Sequence, residues 1–382
     1  MPRTIYFDYN ATTPLDPAVR DAMLPFLDEI WGNPSSVHHV GRRSRALLDE
    51  ARERASRVLG AKPSEVVFTS GGTESNNLAV FGSARRLKPK GRHLITSAIE
   101  HPAVLHCFES LEKNEGFEVT KLPVNSAGRV SGDDLKKTIR PDTIFVSVMA
   151  ANNEIGSLQP VAELGAICRD RGIVFHTDAA QVFGKQPFET VDQFNADLVS
   201  VCAHKFHGPK GAGLLYIKSP LHPDPICFGG GQENERRAGT ENLAGILGLV
   251  AAMEKFLSPP VFNADFLLPL TRRMIDRLSH IEGVEFVGCR DERLANTAAF
   301  VVNGVDSIAL LGGLDLEGIC ASSGSACSAG SLVPSHVVAA LGKREAANSL
   351  VRFSLGREST REEVDFTCGV FAGVVLRAQP GQ

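Results

Sequence analysis

The 382-residue chain has no apolar run that approaches the roughly 18 residues of a membrane span, so no transmembrane helix is expected. Its eight cysteines include no Cys-x-x-Cys pair, and their scatter fits neither a zinc site nor a secreted disulfide framework. Unpaired thiols of this kind suit a reducing compartment. Charge of one sign is also lacking. Forty basic against 44 acidic residues leave a net charge of −4, so no global field draws the protein to nucleic acid or to an anionic membrane. Met1-Pro2-Arg3-Thr4 leads into Ile5-Tyr6-Phe7-Asp8 without the apolar segment of a secretory leader. Internal repeats and low-complexity segments are missing as well. These absences predict a soluble, cytoplasmic protein with no nucleic-acid or membrane partner.

What remains is a composition of 43% hydrophobic and 22% charged residues, enough for a large core. At roughly 100–200 residues per domain, two or three domains are expected. Short apolar runs alternate with longer amphipathic ones. Strands are predicted at 66–69, 93–96, 143–148, 173–176, 198–201 and 213–217, with helices up to 87, from 102 onward and at 161–171. Such alternation predicts α/β layering about a mostly parallel sheet. The short link from the fifth run to the sixth permits a hairpin, hence one antiparallel strand. A loop at 221–237 and a helix at 241–257 follow, until Pro259-Pro260 breaks the pattern. Beyond it a helix at 267–278 and strands at 284–287 and 297–302 open a second unit. The predicted division is a large domain over residues 1–260 and a small one over 261–382, with the N-terminal segment a candidate to pack on the small one.

Ligands of parallel α/β sheets sit beyond the carboxyl ends of the strands. Four such places carry complementary chemistry. Thr69-Ser70-Gly71-Gly72-Thr73-Glu74-Ser75-Asn76 is a small-residue turn into a helix. Its open N–H groups suit a phosphate, although a plain capped turn explains it equally well. His176-Thr177-Asp178-Ala179-Ala180-Gln181 ends a strand with a carboxylate that either caps a following helix or faces a cationic ring nitrogen. Ala203-His204-Lys205-Phe206-His207-Gly208 puts a lysine at a strand end, where desolvation suits an amine that forms a Schiff base. Lys205 follows Asp178 by 205 − 178 = 27 positions, about one strand–helix–strand repeat, so the two can end neighbouring strands and face one ligand. The fourth segment, Ser322-Ser323-Gly324-Ser325-Ala326-Cys327-Ser328-Ala329-Gly330, surrounds one cysteine with small residues. No apolar run buries that thiol, which predicts exposure and reactivity. The other seven cysteines are read as structural.

Taken together, these segments resemble the cysteine desulfurases of the NifS/IscS type, within the class V aminotransferase group. The similarity runs from Tyr6-Phe7-Asp8-Tyr9-Asn10-Ala11-Thr12-Thr13-Pro14 to Arg352-Phe353-Ser354-Leu355-Gly356-Arg357 and so covers nearly the whole chain. The resemblance implies a fold type I pyridoxal-phosphate (PLP) transferase, with a smaller C-terminal α+β domain that carries the cysteine loop. It implies that Lys205 holds PLP covalently, that Asp178 pairs with the ring nitrogen and Gln181 with the ring hydroxyl. His101 would stack on the ring and assist proton transfer. Gly72, Thr73 and His204 would contact the phosphate, as would Cys202, which stands where many relatives have Ser or Thr and is a weaker donor. Thr240 would reach the phosphate of the other subunit of a homodimer. Asn10, Asn153 and Arg352 would hold the substrate carboxylate, with Asn153 also touching the cofactor. Cys327 would take sulfur from L-cysteine as a persulfide and leave alanine. The sulfur would pass to an acceptor protein such as an iron–sulfur scaffold. No intrinsic metal is implied, although Cys327 is a candidate ligand of a transferred cluster. The acceptor pathway stays open among iron–sulfur assembly, tRNA thiolation and DNA phosphorothioation. A transaminase, a selenocysteine lyase and a non-catalytic scaffold are the alternative readings.

Overall fold

The computed structural model describes residues 4–324 and 334–379. Cys327 and Val333 therefore lie outside the described residues. After a short strand β1 (Ile5–Tyr6), the chain builds a central sheet from β2 (Val66–Thr69), β3 (His93–Ser97), β4 (Glu118–Leu122), β5 (Thr143–Ser147), β6 (Val174–Asp178), β7 (Leu198–Cys202) and β8 (Gly213–Ile217). Its order is β2-β8-β7-β6-β5-β3-β4. Neighbours from β7 through β6, β5 and β3 to β4 are parallel, and β8 runs antiparallel to both β7 and β2. The predicted hairpin is thus present. β2, β3, β5, β7 and β8 are buried along their whole length, as near-continuous apolar runs covered on both faces should be. β4 escaped the sequence reading. It is an edge strand of sequence Glu-Val-Thr-Lys-Leu with only Leu122 buried, so it carries no apolar run.

The expected helix after β2 is interrupted. It runs as α-helix over Gly72–Asn77, widens into a π-turn over Leu78–Gly82, and resumes over Ser83–Leu87. A 21-residue amphipathic helix, His39–Leu59, had also gone unread. Its buried Leu48, Ala51, Ala55 and Leu59 recur at helical spacing, and Gly60 closes it in the left-handed region at φ 66°. It packs on Leu243–Phe256, an almost wholly apolar helix that is buried nearly all round.

A second core forms around the three-stranded antiparallel sheet of β9 (Val284–Val287), β10 (Thr297–Val302) and β12 (Leu350–Ser354), in order β12-β10-β9. Helices Ala264–Leu278 and Arg361–Ala378 pack together beside it. β1 pairs in parallel with β11 (Ile319–Cys320), so Ile5, Phe7 and Tyr9 are buried in this second core. Phe353 is fully buried at its centre, with ring centroids 6.5 Å from Phe7, 6.3 Å from Phe300 and 5.8 Å from Phe371. Edge-to-face contacts of this kind add to the burial of the rings themselves. Among the described residues no helix is long and apolar enough to cross a membrane.

Phe353→Ala removes the ring that joins β12 to three neighbours. It is expected to destabilise the protein by about 3–5 kcal/mol, read as a lowered denaturant midpoint. A loss under about 1 kcal/mol would show that the second core does not depend on this ring.

Candidate active site

β2, β3, β5, β6 and β7 all point their carboxyl ends to one edge of the sheet. The segments that follow them line a single cavity of about 380 Å³. Gly72 and Thr73 come from β2, His101 from β3, Asn153 from β5, Asp178 and Gln181 from β6, and Cys202, His204 and Lys205 from β7. Asn10 and Arg352 reach the same cavity from β1 and β12. Of the described residues singled out in the sequence, only Thr240 lies apart. It is exposed and does not line the cavity.

Asp178 ends β6 beside β7, as the 27-residue spacing suggested. One oxygen accepts from Asn76 Nδ2 at 2.7 Å and the other from the Ala180 amide at 3.0 Å. Turns rather than a helix follow it, so the helix-cap alternative does not apply. Lys205 Nζ donates to the carbonyls of Asn10 and Ala11, both at 2.8 Å. The N-terminal segment therefore threads across the lysine loop. Thr13 adds to this crossing through bonds to the His204 carbonyl and from the His207 amide.

His101 caps the helix Pro102–Glu115, its Nδ1 accepting from the Ala103 amide at 3.1 Å. Burial first, and then the Lys205 charge, hold its pKa below the usual histidine value, against the pull of Asp178. A neutral ring that accepts at Nδ1 carries its proton on Nε2. His204, beside the lysine, is pushed down to about 4 by burial and then by Lys205. Cys202 is buried, and burial raises its thiol pKa, so it is a poor nucleophile. Of the other described cysteines, Cys107, Cys168 and Cys368 are buried as expected, Cys289 and Cys320 are half-buried, and Cys227 is exposed.

Arg352 is 1% exposed. It pairs with Asp8 at 2.6 Å and donates to the carbonyls of Asn153 at 2.9 Å and Gly324 at 3.2 Å. Its Nε is buried without a hydrogen-bond partner. The described residues on either side of Cys327 are anchored to the same structure. Ser322 exchanges backbone bonds with Arg352, Ser335 Oγ donates to Glu154 Oε2 at 2.5 Å, and His336 Nε2 donates to the Glu100 carbonyl at 2.9 Å. A second cavity lined by Ser322, Gly324, Ser335 and His336 shares His101 and Thr73 with the first.

A model of the class-V aminotransferases matches residues 5–366. The chain belongs to that family. It is 47% identical over 377 residues to the cysteine desulfurase IscS of Dictyoglomus turgidum, covering 98% of this chain and 95% of that one. A solved NifS-like protein superposes with a TM-score of 0.90 at 36% identity, over 98% of this chain and 100% of the other. SspA, solved in complex with cysteine, gives 0.81 at 35% identity over 94% and 100% of the two chains. The class-V fold is therefore the one that the sequence led us to expect.

Sequence reasoning missed Asn76, which orients Asp178 although it ends the quoted turn. It also missed Asn296 and Thr297, whose side chains hold Asn10. Glu100 went unread too. It is fully buried, accepts from Ser97 Oγ at 2.5 Å and from the Met149 amide at 2.9 Å, and has its second oxygen unpartnered. Burial foremost pushes its pKa from 4.5 up to about 8. At pH 5 to 8 the unfolded carboxyl ionises while the folded one keeps its proton, so stability falls as pH rises through this window. Glu100→Gln lacks this dependence. Its stability relative to wild type is expected to improve steadily between pH 5 and pH 8 in denaturant titrations; a constant difference would mean that Glu100 folds ionised.

Proposed function

We propose that the protein is a PLP-dependent cysteine desulfurase, which takes sulfur from L-cysteine as a persulfide on Cys327 and releases alanine. The observation that carries this reading is Lys205 and Asp178 at neighbouring strand ends, facing one cavity with Arg352. The donor set fits PLP: an amine for its aldehyde, a carboxylate fixed by two donors for its ring nitrogen, and a small-residue turn for its phosphate. The unpartnered Nε of Arg352 fits a substrate carboxylate. The named relatives support the same chemistry, since one is a cysteine desulfurase and another was solved with cysteine.

When bound, PLP supplies an electron sink for cleavage at the substrate's β-carbon. The protein does the rest. Arg352, Asn153 and Asn10 hold the carboxylate. Lys205 Nζ moves the α-proton, and His101 offers its proton from Nε2. Cys327 as thiolate attacks the substrate sulfur. The sulfur goes to the enzyme as Cys–S–SH, the carbon–sulfur bond breaks, and the three-carbon product leaves as alanine. An acceptor protein, such as an iron–sulfur scaffold, then takes the sulfur. The burial of Cys202, which raises its thiol pKa, favours Cys327 over it as the thiol.

The site residues are assigned by this reading: Lys205, His101 and Cys327 catalytic; Asp178, Gln181, Gly72, Thr73, His204 and Cys202 on the cofactor; Asn10, Asn153 and Arg352 on the substrate. The cluster that joins Ile5, Phe7 and Tyr9 to apolar residues between 262 and 375 supports a large domain to residue 260 and a small one from 261 with the N-terminal segment packed on the latter, and Ile99, Met149 and Ile155 pack with Val287, Ala299 and Val301 across that boundary. The free thiols support a cytoplasmic location. A homodimer with shared sites is supported by the exposure of Thr240 and of large apolar side chains, Leu27 at 66%, Trp31 at 73%, Val37 at 87% and Phe228 at 81%.

Lys205→Ala should lose at least about 100-fold in alanine production from L-cysteine, the low end of what a positioned acid–base group contributes. Cys327→Ser should still bind PLP but should acquire no reductant-labile radiolabelled sulfur. Normal alanine production by either variant refutes the assignment.

Sedimentation should give a dimer, and Thr240→Ala should weaken PLP retention without dissociating it. A fully active monomer would overturn the shared-site reading.

A further inference from the structure

Gly184-Lys185 closes the run of turns that follows Asp178. Gly184 lies at φ 73°, and a Cβ on it would meet the Phe206 Cβ at 2.6 Å, so this turn is packed directly against the residue after Lys205. Lys185 is 2% exposed. Its Nζ donates to Asn10 Oδ1 at 2.7 Å and to Gln181 Oε1, and lies 5.1 Å from the Phe262 ring centroid. Among the described residues no carboxylate lies within ion-pair distance of it. A lysine is almost never buried this way unless its nitrogen is used. If packing alone were required, an apolar chain of similar length would serve.

Both oxygens that it meets belong to amides already oriented by their own N–H groups. Asn10 Nδ2 donates to the Asn153 carbonyl at 3.2 Å and to Thr297 Oγ1 at 2.9 Å. Gln181 Nε2 donates to the Asn10 carbonyl at 3.0 Å, which also receives Lys205 Nζ. Among the described residues the Gln181 oxygen meets no other donor and so needs Lys185, because a buried carbonyl without one is costly, whereas the Asn10 oxygen also receives Asn296 Nδ2 at 3.0 Å and is held from two sides. We propose that Lys185 is a positioning residue of the cofactor site, one that locks Gln181 and Asn10 in the orientation that presents them to the cofactor and to Lys205. This inference rests on the PLP reading above. Burial, and then the neighbouring Lys205 and Arg352 charges, lower the Lys185 pKa well below its ordinary value. The amine has N–H groups enough for both amide oxygens in either protonation state, two when neutral and three when charged.

The test is a double-mutant cycle on cofactor affinity rather than on turnover. Apoprotein prepared from the purified holoprotein is titrated with PLP and followed by visible absorbance, for wild type, Lys185→Met, Gln181→Ala and the pair. Each single variant is expected to bind PLP about tenfold more weakly, as the loss of an outer-shell partner typically does. The double variant should also be about tenfold weaker, because Lys185 acts through Gln181. Lys185→Gln, which keeps N–H donors, should fall between wild type and Lys185→Met, and it carries the cycle where Lys185→Met is insoluble. Independent effects multiplying to about a hundredfold, or unchanged PLP affinity in the single lysine variants, overturn the proposal. A merely structural lysine would give the multiplied result together with a lowered thermal midpoint. Wild-type apoprotein that takes up no PLP refutes the cofactor reading and overturns this proposal with it, an outcome told apart from the others by the wild type alone.

Discussion

The hydrogen bonds of Asn10 are the constraint on which the rest of the site depends. Its backbone N–H donates to Ser354 on β12, and its Nδ2 to the Asn153 carbonyl and to Thr297 on β10. Its Oδ1 receives Asn296 and Lys185, and its carbonyl receives Gln181 and Lys205. One residue four positions past β1 thus ties the second core to the strand ends of the first. Apart from the half-buried Lys205, these groups belong to buried residues and would be costly unpaired, so the network settles into a single arrangement. Lys205 Nζ donates to the N-terminal segment that crosses it.

Around this node, burial decides protonation. His101, His204 and Lys185 are all driven toward their neutral forms chiefly by desolvation, and Glu100 toward its protonated one. The charges that remain are met in a fixed way: Arg352 by Asp8, and Asp178 by Asn76 and a backbone amide. Neutral groups with assigned donor and acceptor faces orient a ligand without competing for its charge. Arg352, Asp178 and Lys205 are then among the groups of the cavity that can meet a ligand's charge.

Legibility followed the physics of each element. β7 and β8 could be read because a strand buried on both faces leaves an unbroken apolar run. β4 could not, because an edge strand exposes one side and can spend its positions on Glu and Lys. The π-turn at Leu78–Gly82 leaves no trace in periodicity, since it inserts into a pattern that is helical on both sides. Asp178 and Lys205 were legible because both stand at the ends of apolar runs, one repeat apart. Lys185 was not, because a turn lysine is ordinarily solvated, and only its neighbours show otherwise.

The sequence by itself determined the α/β class, the strand ends that carry the chemistry, and the family resemblance, because these depend on local runs and on residue types in order. Only the tertiary structure decided which distant residues share the cavity. Asn10 and Arg352, which only the family resemblance marked, line it with Lys205, while Lys185 and Asn296, which nothing in their local pattern marks, hold Asn10. They meet because the N-terminal segment must cross the lysine loop to bury Ile5, Phe7 and Tyr9 in the second core. Hydrophobic burial draws the segment there, and the polar groups that it carries in must then find one another.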